Sequence, residues 1–162
     1  TLTSRLLDAS ANVADSRMIN LRGQFALILL VEIPDESAQS VQDQLAQAAS
    51  ELELSIEFRA ASGAQALGTA AAVGVPYRLR IFAMDQPGIV HQITDVLHRL
   101  SINVEELETR SQPSPQSGAP LFSMDVRMTV PPDVPIRALR GELTSVCDSL
   151  NCDLELMRDS LT

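Results

Sequence analysis

The sequence predicts an α+β chain built from two copies of one β-α-β-β-α-β unit, the first copy lacking its first strand. Three observations predict it. The chain repeats itself at a fixed offset, its second half switches between period-two and helical apolar spacing in that order, and a run of small uncharged residues separates the copies.

The repeat is read by laying TLTSRLLDASANV on QITDVLHRLSINV. Thr3 then falls on Thr94, Leu6 on Leu97, Ser10 on Ser101, Asn12 on Asn103 and Val13 on Val104, all at one offset (94 − 3 and 103 − 12 are both 91). In the second copy VPYRLRIFAM sets Tyr77, Leu79, Ile81 and Ala83 on one side and Arg78 and Arg80 on the other, as a half-buried strand requires. Asp85-Gln86-Pro87-Gly88 is a turn, and Ile89, Val90, Ile93, Val96, Leu97 and Leu100 then recur along one helical stripe. Ser101 to Arg110 reads as a strand, and QPSPQSGAP at 112–120 as a loop. LFSMDVRMTV alternates cleanly and stops at Pro131 and Pro132. Ile136, Leu139, Leu143, Val146 and Leu150 mark a second helix, and Cys152, Leu154 and Leu156 a last strand. This order packs as an antiparallel four-stranded sheet with two helices on one face, the ferredoxin-like arrangement.

The first copy carries the end of a helix at 1–9, strands near 12–21 and 25–33, a helix bearing Val41, Leu45, Ala48 and Leu52, and a strand with Leu54, Ile56 and Phe58. The counterpart of Asp85 would precede Thr1, so the natural chain is expected to continue upstream. The expected domains are 1–59, a linker at 60–75 whose sequence AASGAQALGTAAAVGV suits passage over a packed surface, and 76–162. Phe25 to Val31 is apolar on both strand faces, so something is expected to cover both.

Composition narrows the function. Among 162 residues 45% are hydrophobic but only 3% aromatic, with no Trp, which leaves no surface for stacking bases. The net charge of −9, from 12 basic and 21 acidic residues, argues against direct binding to nucleic acid. The longest apolar run is too short to span a bilayer and no secretory leader opens the chain, so a cytoplasmic location and no membrane partner are expected. Cys147 and Cys152 are not in a CxxC pattern and are read as a core and a strand residue; no metal and no cofactor is expected. His91 and His98 lack a third group to orient them and are read as solvated or interface residues, so no catalytic constellation is visible. Met84, Met124, Met128 and Met157 are read as core filler.

The chemistry that remains lies at the DQPG corner. A strand that turns directly into a helix presents N–H groups without intrahelical partners at the positive end of the helix dipole, a place for a carboxylate. Gly88 permits close approach, Asp85 offers a partner for an ammonium group or a helix cap, and Asn103 adds an amide that donates and accepts. Such groups suit an amino acid; equally, Asp-x-Pro-Gly and Asn are ordinary turn residues.

The unit from Tyr77 to Arg158 resembles an ACT domain. The residues that carry the resemblance are DQPG at 85–88 and SINV at 101–104, with SANV at 10–13 repeating the second motif in the first copy. Two such units without a catalytic domain, together with the run NVEELETRSQPSP, are similar to the glycine cleavage system transcriptional repressor group. Ser10 and Ser101 stand where many ACT domains have Gly. The resemblance implies a non-catalytic regulator that binds a small amino acid, such as glycine, at the interface of paired units. It carries over Asp85, Gly88, Ile89 and Val90 at the corner, and Asn103 with its counterpart Asn12. It further implies a homo-oligomer and a protein partner, such as a DNA-binding activator. The alternatives that stay open are a regulatory fragment of a larger enzyme of amino acid metabolism and a ligand-free protein-interaction module.

Overall fold

A computed structural model describes residues 11–51, 53–60, 73–114 and 118–159. The chain divides into two compact units, Thr1–Ser62 and Gly63–Thr162. The helix end expected at 1–9, Leu52 and most of the expected linker lie outside the described residues.

In the first unit β1 (Asn12–Leu21) and β2 (Gln24–Glu32) form an antiparallel hairpin. Arg22 and Gly23 close it, both with positive φ (52° and 89°), and Asn20 Oδ1 accepts a hydrogen bond from the Gly23 N–H. Two central residues of this hand match the twist of the flanking strands. Helix α1 (Ala38–Glu51) buries Val41, Leu45 and Ala48. Val41 and Leu45 gather Leu29, Val31, Ile33, Ile56 and Phe58 into a small core. The last strand expected here does not form: residues 54–60 have no regular structure, although Ile56 and Phe58 pack inward. In the second unit the equivalent strand pairs with that unit's first strand. No counterpart of that first strand exists among the described residues of the first unit, so 54–60 have no ladder to join. Phe25 and Ile28, on opposite faces of β2, are 70% and 72% exposed.

The second unit is complete. β3 (Val75–Met84), α2 (Ile89–Arg99), β4 (Asn103–Pro113), β5 (Pro120–Val130), α3 (Ile136–Leu150) and β6 (Asp153–Arg158) follow in the expected order. The sheet runs β4-β5-β3-β6, every neighbouring pair antiparallel. Both helices turn their apolar stripes to one sheet face, where Leu79, Ile81, Met124, Val126 and Met128 meet Ile89, Ile93, Val96, Leu97, Leu139, Leu143 and Cys147. Each such side chain contributes roughly 1.5–3 kcal/mol by leaving water. The buried stripe of α3 runs through Cys147, with Val146 only half-buried. Met124 and Met128 are core residues as expected, but Met84 and Met157 are not: they occupy the outward parity of β3 and β6 and are exposed. The expected loop at 112–120 is shorter, because β4 runs on through Pro113 and β5 begins at Pro120.

Ser101 occupies a left-handed position. It follows α2 with φ 52°, its N–H bonds the His98 carbonyl and the Ile102 N–H bonds the Leu97 carbonyl. This left-handed helix terminus is a position where glycine costs least. Gly74, just before β3, is constrained by space instead, since a Cβ there would stand 2.3 Å from the Val130 carbonyl oxygen. Gly74→Ala must push the ends of β3 and β5 apart. It is expected to cost the second unit about 1–3 kcal/mol in a denaturant titration, and an unchanged midpoint would show that the strand ends yield freely.

Candidate functional site

The corner follows directly from the end of β3. The Asp85 N–H donates to the Pro120 carbonyl at 3.0 Å, and the Asp85 carboxylate accepts a hydrogen bond from Ser111 Oγ at 2.5 Å. Gln86 Nε2 reaches across to the Leu150 carbonyl at the end of α3 and ties the turn down. Gly88 then adopts φ 96° and opens α2, with no side chain capping the helix. The carbonyl of Gly88 accepts the Gln92 N–H at 2.9 Å, the first regular turn of the helix. The N–H groups ahead of it have no partner inside the helix and stand at its positive end.

The sequence-predicted residues separate into three places. Asp85, Gly88 and Val90 share the corner; Val90 is 37% exposed. Ile89 also lies there, but its side chain is in the core, so only its backbone N–H can serve a ligand. Asn103 is exposed at the start of β4, in the row Pro76–Thr129–Asn103. The corner adjoins the row Met84–Leu121–Gln112, eight residues further along β3. At roughly 3.3 Å per residue that is about 26 Å, so Asn103 does not join the corner of its own unit. Asn12 begins β1 in the first unit, where its Nδ2 donates to Glu32 Oε2 at 3.3 Å.

Sequence reasoning missed Ser111 and Gln86, whose roles depend on register and on the end of a distant helix. It also missed a charged network on the outer sheet face. Arg78 grips Asp125 through two hydrogen bonds of 2.8 Å, Arg80 adds a third at 3.2 Å, and Arg127 lies 3.3 Å from Glu106 and 3.5 Å from Asp159. The hydrogen bond from Arg78 holds the Asp125 carboxyl below its ordinary range against the opposing effect of burial, and Arg78 is raised in turn. Because the folded value is the lower one, the stability this gives is complete above the unfolded carboxyl value, about 3.9, and is lost as pH falls through the folded value. The network is partly exposed, so about 1 kcal/mol is expected. Asp125→Asn should lower stability by that amount at neutral pH, with the gap from wild type closing below about pH 4; a gap independent of pH would remove the ion pair as its source. Burial pushes the Cys147 thiol on α3 up to about 11 and raises that of Cys152, just before β6, as well, the opposite of what an activated nucleophile needs. Among the described residues no group of His, Cys, Asp and Glu is placed to hold a metal ion, and no helix is long and apolar enough to cross a membrane.

The structure thus holds one βαββαβ unit and, before it, a hairpin and helix that repeat part of it. The ACT domain model matches residues 1–59. The crystal structure of an unknown protein from Galdieria sulphuraria is similar at 31% identity and a TM-score of 0.80, over 98% of this chain and 88% of that one. Residues 1–59 belong to the ACT-domain family. A second crystal structure, called a "putative glycine cleavage system transcriptional repressor", shares the fold at 15% identity and a TM-score of 0.69, with the same coverage of 98% and 88%. Among curated proteins none matches the sequence.

Proposed function

We propose that this protein is a non-catalytic, cytoplasmic sensor of a small amino acid, glycine foremost. It regulates transcription of glycine and one-carbon metabolism through a protein partner, a DNA-binding activator. The observation that carries the reading is the uncapped start of α2 at Gly88, where φ 96° and the missing side chain leave helix N–H groups open to a carboxylate beside Asp85. The tandem architecture shared with the repressor structure supports the regulatory part, and the net charge of −9 supports action through protein contact.

The distant position of Asn103 fits a ligand held between paired units. β4 is an edge strand. Two such edges placed side by side in antiparallel fashion would set the start of one against the end of the other, bringing Asn103 of a second copy towards the corner. The bond between Ser111 and Asp85 favours a second reading, in which the corner is only a turn and the paired units bind protein alone.

Thermal unfolding against a panel of amino acids, glycine and serine included, separates the two. A ligand at about a hundred times its dissociation constant adds roughly 2.7 kcal/mol. No response to any amino acid would leave the interaction module standing.

A further inference from the structure

Away from the helices, the sheet of the second unit is polar over most of its face, but its corner end differs. There Phe82, Met84 and Leu121 are 43%, 53% and 42% exposed and line a shallow cavity of about 620 Å³. Two register rows cross it. One runs Arg110–Ser123–Phe82–Asp153 over all four strands, and the other runs Gln112–Leu121–Met84. The first row therefore ends in opposite charges, Arg110 on one edge strand and Asp153 on the other, three strand spacings or about 14 Å apart.

This arrangement is its own complement. A two-fold axis parallel to the strands and midway between β5 and β3 carries β4 onto β6 and β5 onto β3. Two sheets stacked about that axis set Arg110 against Asp153 of the second copy at both edges. Leu121 meets Met84, and each Phe82 covers Ser123 across the centre. An isologous contact pairs residue i of one copy with j of the other and j with i, and stacked sheets lie about 10 Å apart. The next row, Glu108–Asp125–Arg80–Glu155, ends in glutamates on both edges and would oppose like charges there. The contact is thus confined to the two rows at the corner end.

We infer that this patch is a docking surface for a second copy of the chain. It uses the outer sheet face and not the hydrogen-bonding edge of β4, and goes beyond the sensing role proposed above. The test is sedimentation equilibrium of the full chain at fixed ionic strength, with wild type, Phe82→Asp, Arg110→Asp, Asp153→Arg and the Arg110→Asp/Asp153→Arg double variant. All sit on the exposed face, and unchanged melting confirms that each folds. The wild type self-associates; Phe82→Asp and each single charge reversal weaken that association at least about tenfold, and the double reversal restores it to within about threefold. A wild type that stays monomeric to millimolar concentration overturns the proposal. So does an association that ignores these substitutions, as pairing along the β4 edge would, or a double reversal that fails to restore binding.

Discussion

Leu79→Ala is expected to lower the unfolding free energy of the second unit by about 2–5 kcal/mol. Leu79 is 0% exposed on β3, which lies between β5 and β6, and it stands opposite Val126 on one side and Leu156 on the other. Truncation there removes contacts to both neighbours and to the helices above, and a central strand cannot slide to refill the space without breaking two ladders. Leu79→Met keeps the volume and should cost less than about 1.5 kcal/mol. The readout is built in: the chain has one Tyr and no Trp, and Tyr77 lies on β3 against this core. Its emission follows the second unit selectively during a urea titration. A loss below about 1 kcal/mol for the alanine variant would mean that the core collapses more readily than its close packing implies.

Gly88→Val is expected to act twice. A Cβ at Gly88 would meet only Gln92 Nε2, at 3.6 Å, so space is available and the direct cost is the backbone at φ 96°. For a β-branched residue that strain is of order 1–3 kcal/mol, seen as a lower midpoint without ligand. The second effect is on binding, because the new side chain occupies the approach to the first N–H groups of α2. Amino acid-dependent stabilisation of roughly 2.7 kcal/mol at a hundredfold excess over the dissociation constant should therefore vanish. Gly88→Ala separates the two effects, carrying the strained backbone with a smaller obstruction. A valine variant that melts lower yet still responds to the amino acid would place the ligand elsewhere.

What could be read from the sequence divides along physical lines. β5 was legible almost to the residue because FSMDVRMTV alternates without exception and prolines bound the strand. The same parity argument places Met84 outward, one step after Ala83. Assigning it to the core let apolar identity outweigh position. The segment 54–58 alternates as well as β6 does, yet a strand exists only with a neighbour to bond, which is no property of the segment itself. The candidate site shows the same boundary. Asp85 and Gly88 were legible because a turn is local. The separation of Asn103 was not, because α2 carries the chain back along the sheet before β4 begins, so that β3 and β4 start at the same end. Ser111 became a partner of Asp85 only through the register of β4 on β5.

One backbone detail is common to β1 and β4. Pairing of β1 with β2 slips between Val13 and Asp15, and pairing of β4 with β5 slips between Val104 and Glu106. Both ends of both slips are related by the offset of 91 that relates the sequences. The extra residue is Ala14 in one strand and Glu105 in the other, an apolar methyl against a carboxylate that accepts a hydrogen bond from Thr129. The side chains at the bulge differ while the irregularity itself keeps the offset. A kink of this kind is costly to move, because shifting it by one residue turns every later side chain to the other face. The pair of bulges thus extends the repeat from side chains to backbone: the two strands share an irregularity although Ala14 and Glu105, which form it, have no chemistry in common.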